Sequence, residues 1–194
     1  MDVRVLIMIR KGIEKGLIEY CAPTLAGIKC ASLFNYFHEG EQIAQKELDE
    51  INKLLNKKGV NVEILIWKEK SALLYVYRTA MLENELKQPG VFELLESYGY
   101  ESCDINICLE NLKCRFLEDS CFPHEIGVFL GYPLEDVKGF IVNKGKNCES
   151  CGMWKVYCNK EEKHKMFRKL EKCKEVYLQV FHEGRELSRM IVCT

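Results

Sequence analysis

VNVEILIWKEKSALLYVYR, residues 60–78, is the stretch on which the fold turns. Val60, Val62, Ile64 and Ile66 alternate with Asn61, Glu63, Leu65 and Trp67, the period of a strand that shows one face to a core. Lys68-Glu69-Lys70-Ser71 is polar enough to turn the chain, and the alternation resumes from Ala72 to Tyr77. Two such runs joined by a short polar turn predict an antiparallel hairpin. Trp67, Tyr75 and Tyr77 suit packing on a sheet, with the wall of a ligand pocket as the alternative.

Upstream of the hairpin, Ile43, Ala44, Leu48, Ile51, Leu54 and Leu55 form the apolar stripe of a helix opened by Gly40, with Glu and Lys on its wet face. Gly59 stands where the cap of that helix belongs. IKCASLFNYF, residues 28–37, reads as a strand. Val5, Ile9, Ile13 and Leu17 recur every four residues and predict a first helix. Pro23 removes a helical N–H and disfavours helix at Ala22, which predicts that this helix stops near Cys21.

Downstream of Arg78 the pattern turns helical. Pro89-Gly90 breaks it once, Gly99 ends a short helix over 91–98, and Ile105, Cys108, Leu109, Leu112 and Phe116 mark another. Pro123 and Pro133 each suit a first helical turn, with Gly131 between the two helices. Trp154 to Cys158 reads as a short strand. Asn159 followed by Glu162 reads as a capping box opening a last helix, with Phe167, Leu170, Cys173, Tyr177 and Phe181 on one face. The order strand, helix, strand, strand, helices, strand predicts an α+β protein with a ferredoxin-like βαββαβ sheet. It would form one domain over 1–194, with a helical insertion at about 79–145 before the last strand and a helix flanking each end.

Composition narrows the function. The formal net charge is −1, which excludes the basic surface of a dedicated nucleic-acid binder. The N-terminus, MDVRVLIMIRKG, carries too short an apolar run for a signal sequence, and no stretch is long enough to span a bilayer. The expectation is a cytoplasmic protein without a membrane partner. The 11 cysteines are odd in number and irregularly spaced, so they do not outline a disulfide scaffold. Most would be small core residues in a reducing compartment.

Two segments carry a resemblance: CAPTLAGIKCASLF at 21–34, and FPHEIGVFLGYPLEDVKGFIVNKGKN at 122–147 followed by WKVY at 154–157. Together they resemble DUF3793, a family of bacterial proteins of unknown function common in clostridia and other anaerobes. The resemblance implies an anaerobic cytoplasm and brings no catalytic residues with it.

Four constellations are candidates for chemistry. Cys148-Glu149-Ser150-Cys151 is a CxxC that would bite a metal ion or form a reversible disulfide, with Cys158 and Cys121 as further thiols. Its plain alternative is incidental thiols. His124-Glu125 follows Phe122-Pro123 at a helix start; His124 would ligate iron or haem or act as a general acid or base, with Glu125 orienting it. The plain alternative is a first-turn Glu answering the helix dipole and a His that packs. Cys21 and Thr24, in the interruption around Pro23 and Gly27, would hold an anion or cofactor, or belong to a structural turn. Lys144 and Lys146, with Lys155 and Tyr157 from the strand after them, would hold a phosphate or carboxylate, although no P-loop spacing is present. His38, His164 and His182 read as surface residues.

Thiolate, imidazole and carboxylate in one segment suit iron or zinc. The leading expectation is therefore a binder of a metal, haem or a redox cofactor. The second is an enzyme on a small anionic substrate, with His124 and Glu125 as acid and base. The third is a protein–protein interaction module, for which a homodimer is one form.

Overall fold

The computed structural model describes the backbone of residues 3–118 and 122–193, and the side chains from residue 12 onward. The chain opens with α1 (Val3–Leu25), β1 (Ala31–Phe37) and α2 (Glu41–Leu55), followed by the hairpin of β2 (Val60–Lys68) and β3 (Ser71–Arg78). The sheet order is β1-β3-β2, antiparallel throughout. With residues 172–194 these elements make one compact unit; residues 79–171 make a second.

Helix α1 runs past the stop expected at Cys21, and Pro23 lies inside it. Ile18, Cys21, Ala22 and Leu25 are all fully buried, so core packing holds the last turn in place despite the missing N–H. The helix runs to Leu25 and is capped by Gly27, in the left-handed region at φ 73°. There the Ile28 N–H donates to the Pro23 carbonyl and the Gly27 N–H to that of Thr24, the two bonds of a Schellman cap.

One sheet face builds the core. Phe34, Val62, Leu74 and Val76 pack with Ile13 and Leu17 of α1 and with Leu48 and Ile51 of α2. Close approach of α1 requires Gly16, where a Cβ would lie 2.7 Å from the Phe34 ring. Strict alternation fails twice in the hairpin. The register of β2 slips between Ile64 and Ile66, so Trp67, opposite Ala72, returns to the core face. In β3 every residue from Ala72 to Arg78 is buried, because it is the central strand and both its faces are covered.

Arg78 closes β3 with no exposed surface. Its Nε donates to the Thr24 carbonyl, and its Nη2 to Leu25 at 2.6 Å and Val192 at 2.8 Å. The guanidinium thus holds the carbonyl end of α1, where the dipole favours a cation, against the C-terminal segment. Burial lowers its pKa, opposed by Tyr177 and Cys193.

The second unit contains α3 (Thr79–Leu86), α4 (Val91–Glu96), α5 (Ile105–Glu118), α6 (Ile126–Phe129) and α7 (Leu134–Val142). A two-stranded ribbon follows, β4 (Ser150–Cys151) with β5 (Lys155–Val156), and then α8 (Lys160–His182) begins. Gly90, Gly99 and Gly131 all adopt positive φ at the breaks where the sequence places them. The run expected to be the fourth sheet strand, 154–158, pairs with β4 instead, so the main sheet has three strands and the full βαββαβ order is not formed among the described residues. The reason is local: Trp154 and Tyr157 both donate to Asp136 of α7, which ties this run to the second unit. The expected capping box is also replaced. Asn159 sits at φ 53°, and its carbonyl, not its side chain, receives Glu162 and Lys163 N–H.

Burial sets the alkaline limit of stability. It raises the pKa of the Cys21 thiol and of the Tyr36, Tyr75 and Tyr77 phenols. A group whose pKa is raised on folding stabilises fully below its ordinary value, 9.0 for the thiol and 10.0 for the phenols, and that stability is lost as pH climbs. Lys29 works the other way, since burial draws its ammonium down to about 8. One lysine against four such groups leaves the acids dominant. The unfolding midpoint is expected to fall steeply above about pH 10; a midpoint that stays level there, followed by circular dichroism, would contradict this.

Candidate functional site

In the second unit a cavity of about 370 Å³ opens between α6, α7 and the β4–β5 ribbon. That is near the lower end of the range for small-molecule pockets, roughly 300–1,000 Å³. Its lining is apolar and aromatic, with Ile126, Leu130 and Val137 at the helices and Tyr132, Phe140 and Trp154 as rings. Tyr132 and Trp154 stack at 4.8 Å between centroids, and Phe167 meets Trp154 edge-on at 4.5 Å.

Local chemistry positions each wall. The short α6 ends in a Schellman cap in which the Tyr132 N–H donates to Gly127 and the Gly131 N–H to Val128. Gly131, at φ 67°, lets the chain turn there and delivers Tyr132 to Trp154. Asp136, almost fully buried in the first turn of α7, accepts from the Trp154 indole and the Tyr157 N–H, both at 2.8 Å. Lys163 of α8 lies 3.9 Å from Asp136 and donates to Glu135 at 2.6 Å. Behind the ribbon, Gly152 allows contact with α8: a Cβ there would stand 2.3 Å from the Phe167 ring. Gly152→Ala is therefore expected to cost about 1–3 kcal/mol by forcing Phe167 off Trp154. Urea denaturation checks it, and a cost near zero would show that the ribbon yields freely.

Desolvation pushes the Glu135 pKa up, but hydrogen bonding and charge from Lys163, with a backbone hydrogen bond, outweigh it and leave the carboxyl below its usual range. A lowered folded-state pKa contributes stability above the unfolded value, near 4.5, that is lost as pH falls below it. Acid unfolding should accordingly shift to higher pH in Lys163→Met, measured by fluorescence.

The polar groups expected from the sequence are dispersed. His124 and Cys151 both line the cavity and are both exposed, His124 edge-on to Phe140 at 5.0 Å. Glu125, next to His124, is fully buried and turned elsewhere: Arg115 Nε donates to its Oε1, Tyr100 donates to the same oxygen at 3.4 Å, and the Arg115 guanidinium lies over the Tyr98 ring at 5.1 Å. Cys148 and Cys158 do not line the cavity. Cys158 hydrogen-bonds Glu135, and burial followed by the charges of Glu135 and Asp136 raises its pKa, disfavouring the thiolate that a metal requires. Cys121 lies outside the described residues. Among the described residues, no three His, Cys, Asp or Glu side chains gather closely enough to hold a metal ion.

Lys155 reaches the cavity, over the Phe140 ring at 5.7 Å, and also donates to the Gly145 carbonyl, which fixes the 144–147 turn. Lys144, at φ 50°, and Lys146 are exposed and do not line the cavity. Tyr157 packs its ring over Gly139. Cys21 and Thr24 belong to the first unit, both fully buried, with Thr24 Oγ1 2.9 Å from Ser32 Oγ. Of the histidines expected at the surface, His182 is exposed, His164 pairs with Ser150 at 2.7 Å, and His38 is half-buried against Trp67. The residues that the motifs missed are Asp136, Tyr132, Phe140 and Trp154.

The class is that of a mixed α and β protein, whose second unit holds an aromatic cavity with one ammonium and one imidazole in its lining. Residues 17–191 match the family described as "Protein of unknown function (DUF3793)", and the chain belongs to that family. No curated protein and no solved structure matches the chain. Among the described residues, no helix is long and apolar enough to cross a membrane.

Proposed function

We propose that this protein binds a small, flat, largely apolar molecule bearing an acidic group. The carrying observation is the second-unit cavity, whose rings offer stacking surfaces while Lys155 supplies an ammonium over Phe140. The carboxylate in the wall does not oppose an anion. Both Asp136 oxygens accept hydrogen bonds, and Lys163 stands beside them. Exposed His124 would add a donor to the acidic group. We place the protein in a reducing cytoplasm, on the support of its odd, irregular cysteine set.

Calorimetry with three naphthalene probes tests the proposal: 2-naphthoate, neutral 2-naphthol and 2-naphthylmethylammonium. The anion is expected to bind best, and Lys155→Met to erase its advantage over the neutral ring. Absence of saturable binding by any probe, or preference for the cation, would end this reading.

A second reading follows from His124 and Cys151 sharing the cavity. Imidazole and thiolate would together hold a soft metal ion or a metal-bearing cofactor. Elemental analysis and an absorption spectrum of protein purified without oxygen decide it. Metal content that is near-stoichiometric and lost in both His124→Ala and Cys151→Ala would favour this reading over the first.

A further inference from the structure

A second, smaller cavity, of about 160 Å³, lies in the first unit between the end of β1 and the start of α2. Glu47 lines it from α2 although only 5% exposed, an unusual place for a carboxylate. The Tyr36 hydroxyl donates to Glu47 Oε2. The other oxygen, Oε1, is buried and has no hydrogen-bond partner among the described residues. His38 lines the same cavity with its ring edge-on to Trp67, 5.3 Å between centroids, and both its nitrogens are likewise buried and unpartnered. Glu39 stands exposed at the rim, and among the described residues no Lys or Arg lines the space.

A buried carboxylate oxygen without a donor is costly, and so is an imidazole with neither nitrogen bonded. Both residues line one small volume. Water would satisfy the hydrogen bonds but not the charge. The missing partner must donate N–H or O–H groups, carry positive charge and fit a space partly walled by Ile43 and Ala44. A metal ion fits less well, since no three ligating side chains converge among the described residues.

We infer that this cavity binds a primary ammonium group, with N–H donated to Glu47 Oε1 and to the unprotonated nitrogen of His38, and with the short alkyl part against Ile43 and Ala44. The site is independent of the cavity in the second unit.

The test is calorimetric titration of the full chain with n-propylammonium chloride at fixed ionic strength, with tetramethylammonium and sodium as controls. Propylammonium is expected to bind saturably at one site, and tetramethylammonium, which has no N–H, not to bind. Glu47→Gln should weaken binding by about tenfold or more while the thermal midpoint without amine holds or rises, because a lone buried charge has gone. If Glu47→Gln fails to fold, His38→Phe, which keeps the ring against Trp67, should still weaken binding several-fold. Equal binding of tetramethylammonium or sodium, indifference to both substitutions, or no saturable binding would overturn the assignment and leave the cavity to water.

Discussion

Replacing Arg78 with methionine is expected to destabilise the protein by about 3–5 kcal/mol. The methionine keeps much of the apolar stem but leaves the carbonyls of Thr24, Leu25 and Val192 without the guanidinium that now binds them. The Gly27 N–H still reaches Thr24 and the Val192 N–H still reaches Leu25, so the loss is that of three charge-assisted bonds, each weighing more than a surface contact. The loss also frees the C-terminal segment, whose Leu187, Met190 and Ile191 belong to the core. For a chain of this size the midpoint should fall by on the order of 10 °C. Arg78→Lys should recover only part of this, since one nitrogen replaces a planar fork. Thermal unfolding of the three proteins side by side is the check. A methionine variant within about 1 kcal/mol of the parent would mean that the carbonyls find other donors.

Asp136→Ala should be nearly as damaging, by about 2–4 kcal/mol, and its effect should fall on the binding site. The substitution strands the Trp154 indole N–H and the Tyr157 N–H together, and Lys163 loses a neighbouring carboxylate. The β4–β5 ribbon has only two residue pairs of its own, too few to persist without that anchor. Trp154, now 8% exposed, should move into water and its emission should shift to the red. Binding of 2-naphthoate should fall with it. Asp136→Asn keeps one acceptor and should sit between the two. If Trp154 emission stays unshifted in Asp136→Ala, the ribbon is held by something other than this carboxylate.

Much of the scaffold was legible because its signals are local. The hairpin turn, the α2 stripe and the glycines at 59, 90, 99 and 131 each reflect backbone or burial requirements that a few neighbouring residues reveal. The bulge in β2 was not legible, because a slip of register leaves a hydrophobic run looking the same. Pro23 misled for a different reason: tertiary burial of Cys21, Ala22 and Leu25 overrides a local helix-breaking tendency. Trp154 to Cys158 reads as a sheet strand by composition, yet its partner is decided by Asp136, roughly twenty positions away in the chain.

The sites show the same division. His124, Cys151 and Lys155 were singled out as chemically able residues, and they share one cavity. Glu125 was paired with His124 because they are adjacent, but adjacent residues at a helix start point in different directions, and Glu125 turns to Arg115. The aromatic walls carry no motif, since stacking needs rings from three separate segments. Glu47 did leave a trace. It lies three residues after Ala44 and four before Ile51, squarely on the apolar stripe of α2 where a charge is out of place. Reading the stripe for its exception rather than its rule would have pointed to the first-unit cavity.

The most direct test of the proposed binding function uses Trp154 as its own reporter. The chain has two tryptophans, so Trp67→Phe leaves the indole in the cavity wall as the sole emitter. Titrating that variant with 2-naphthoate should change Trp154 emission saturably, with a Kd in roughly the micromolar range. Lys155→Met should weaken the effect. Binding heat that saturates while Trp154 emission stays constant, or no binding at all, would contradict the assignment of this cavity as the ligand site.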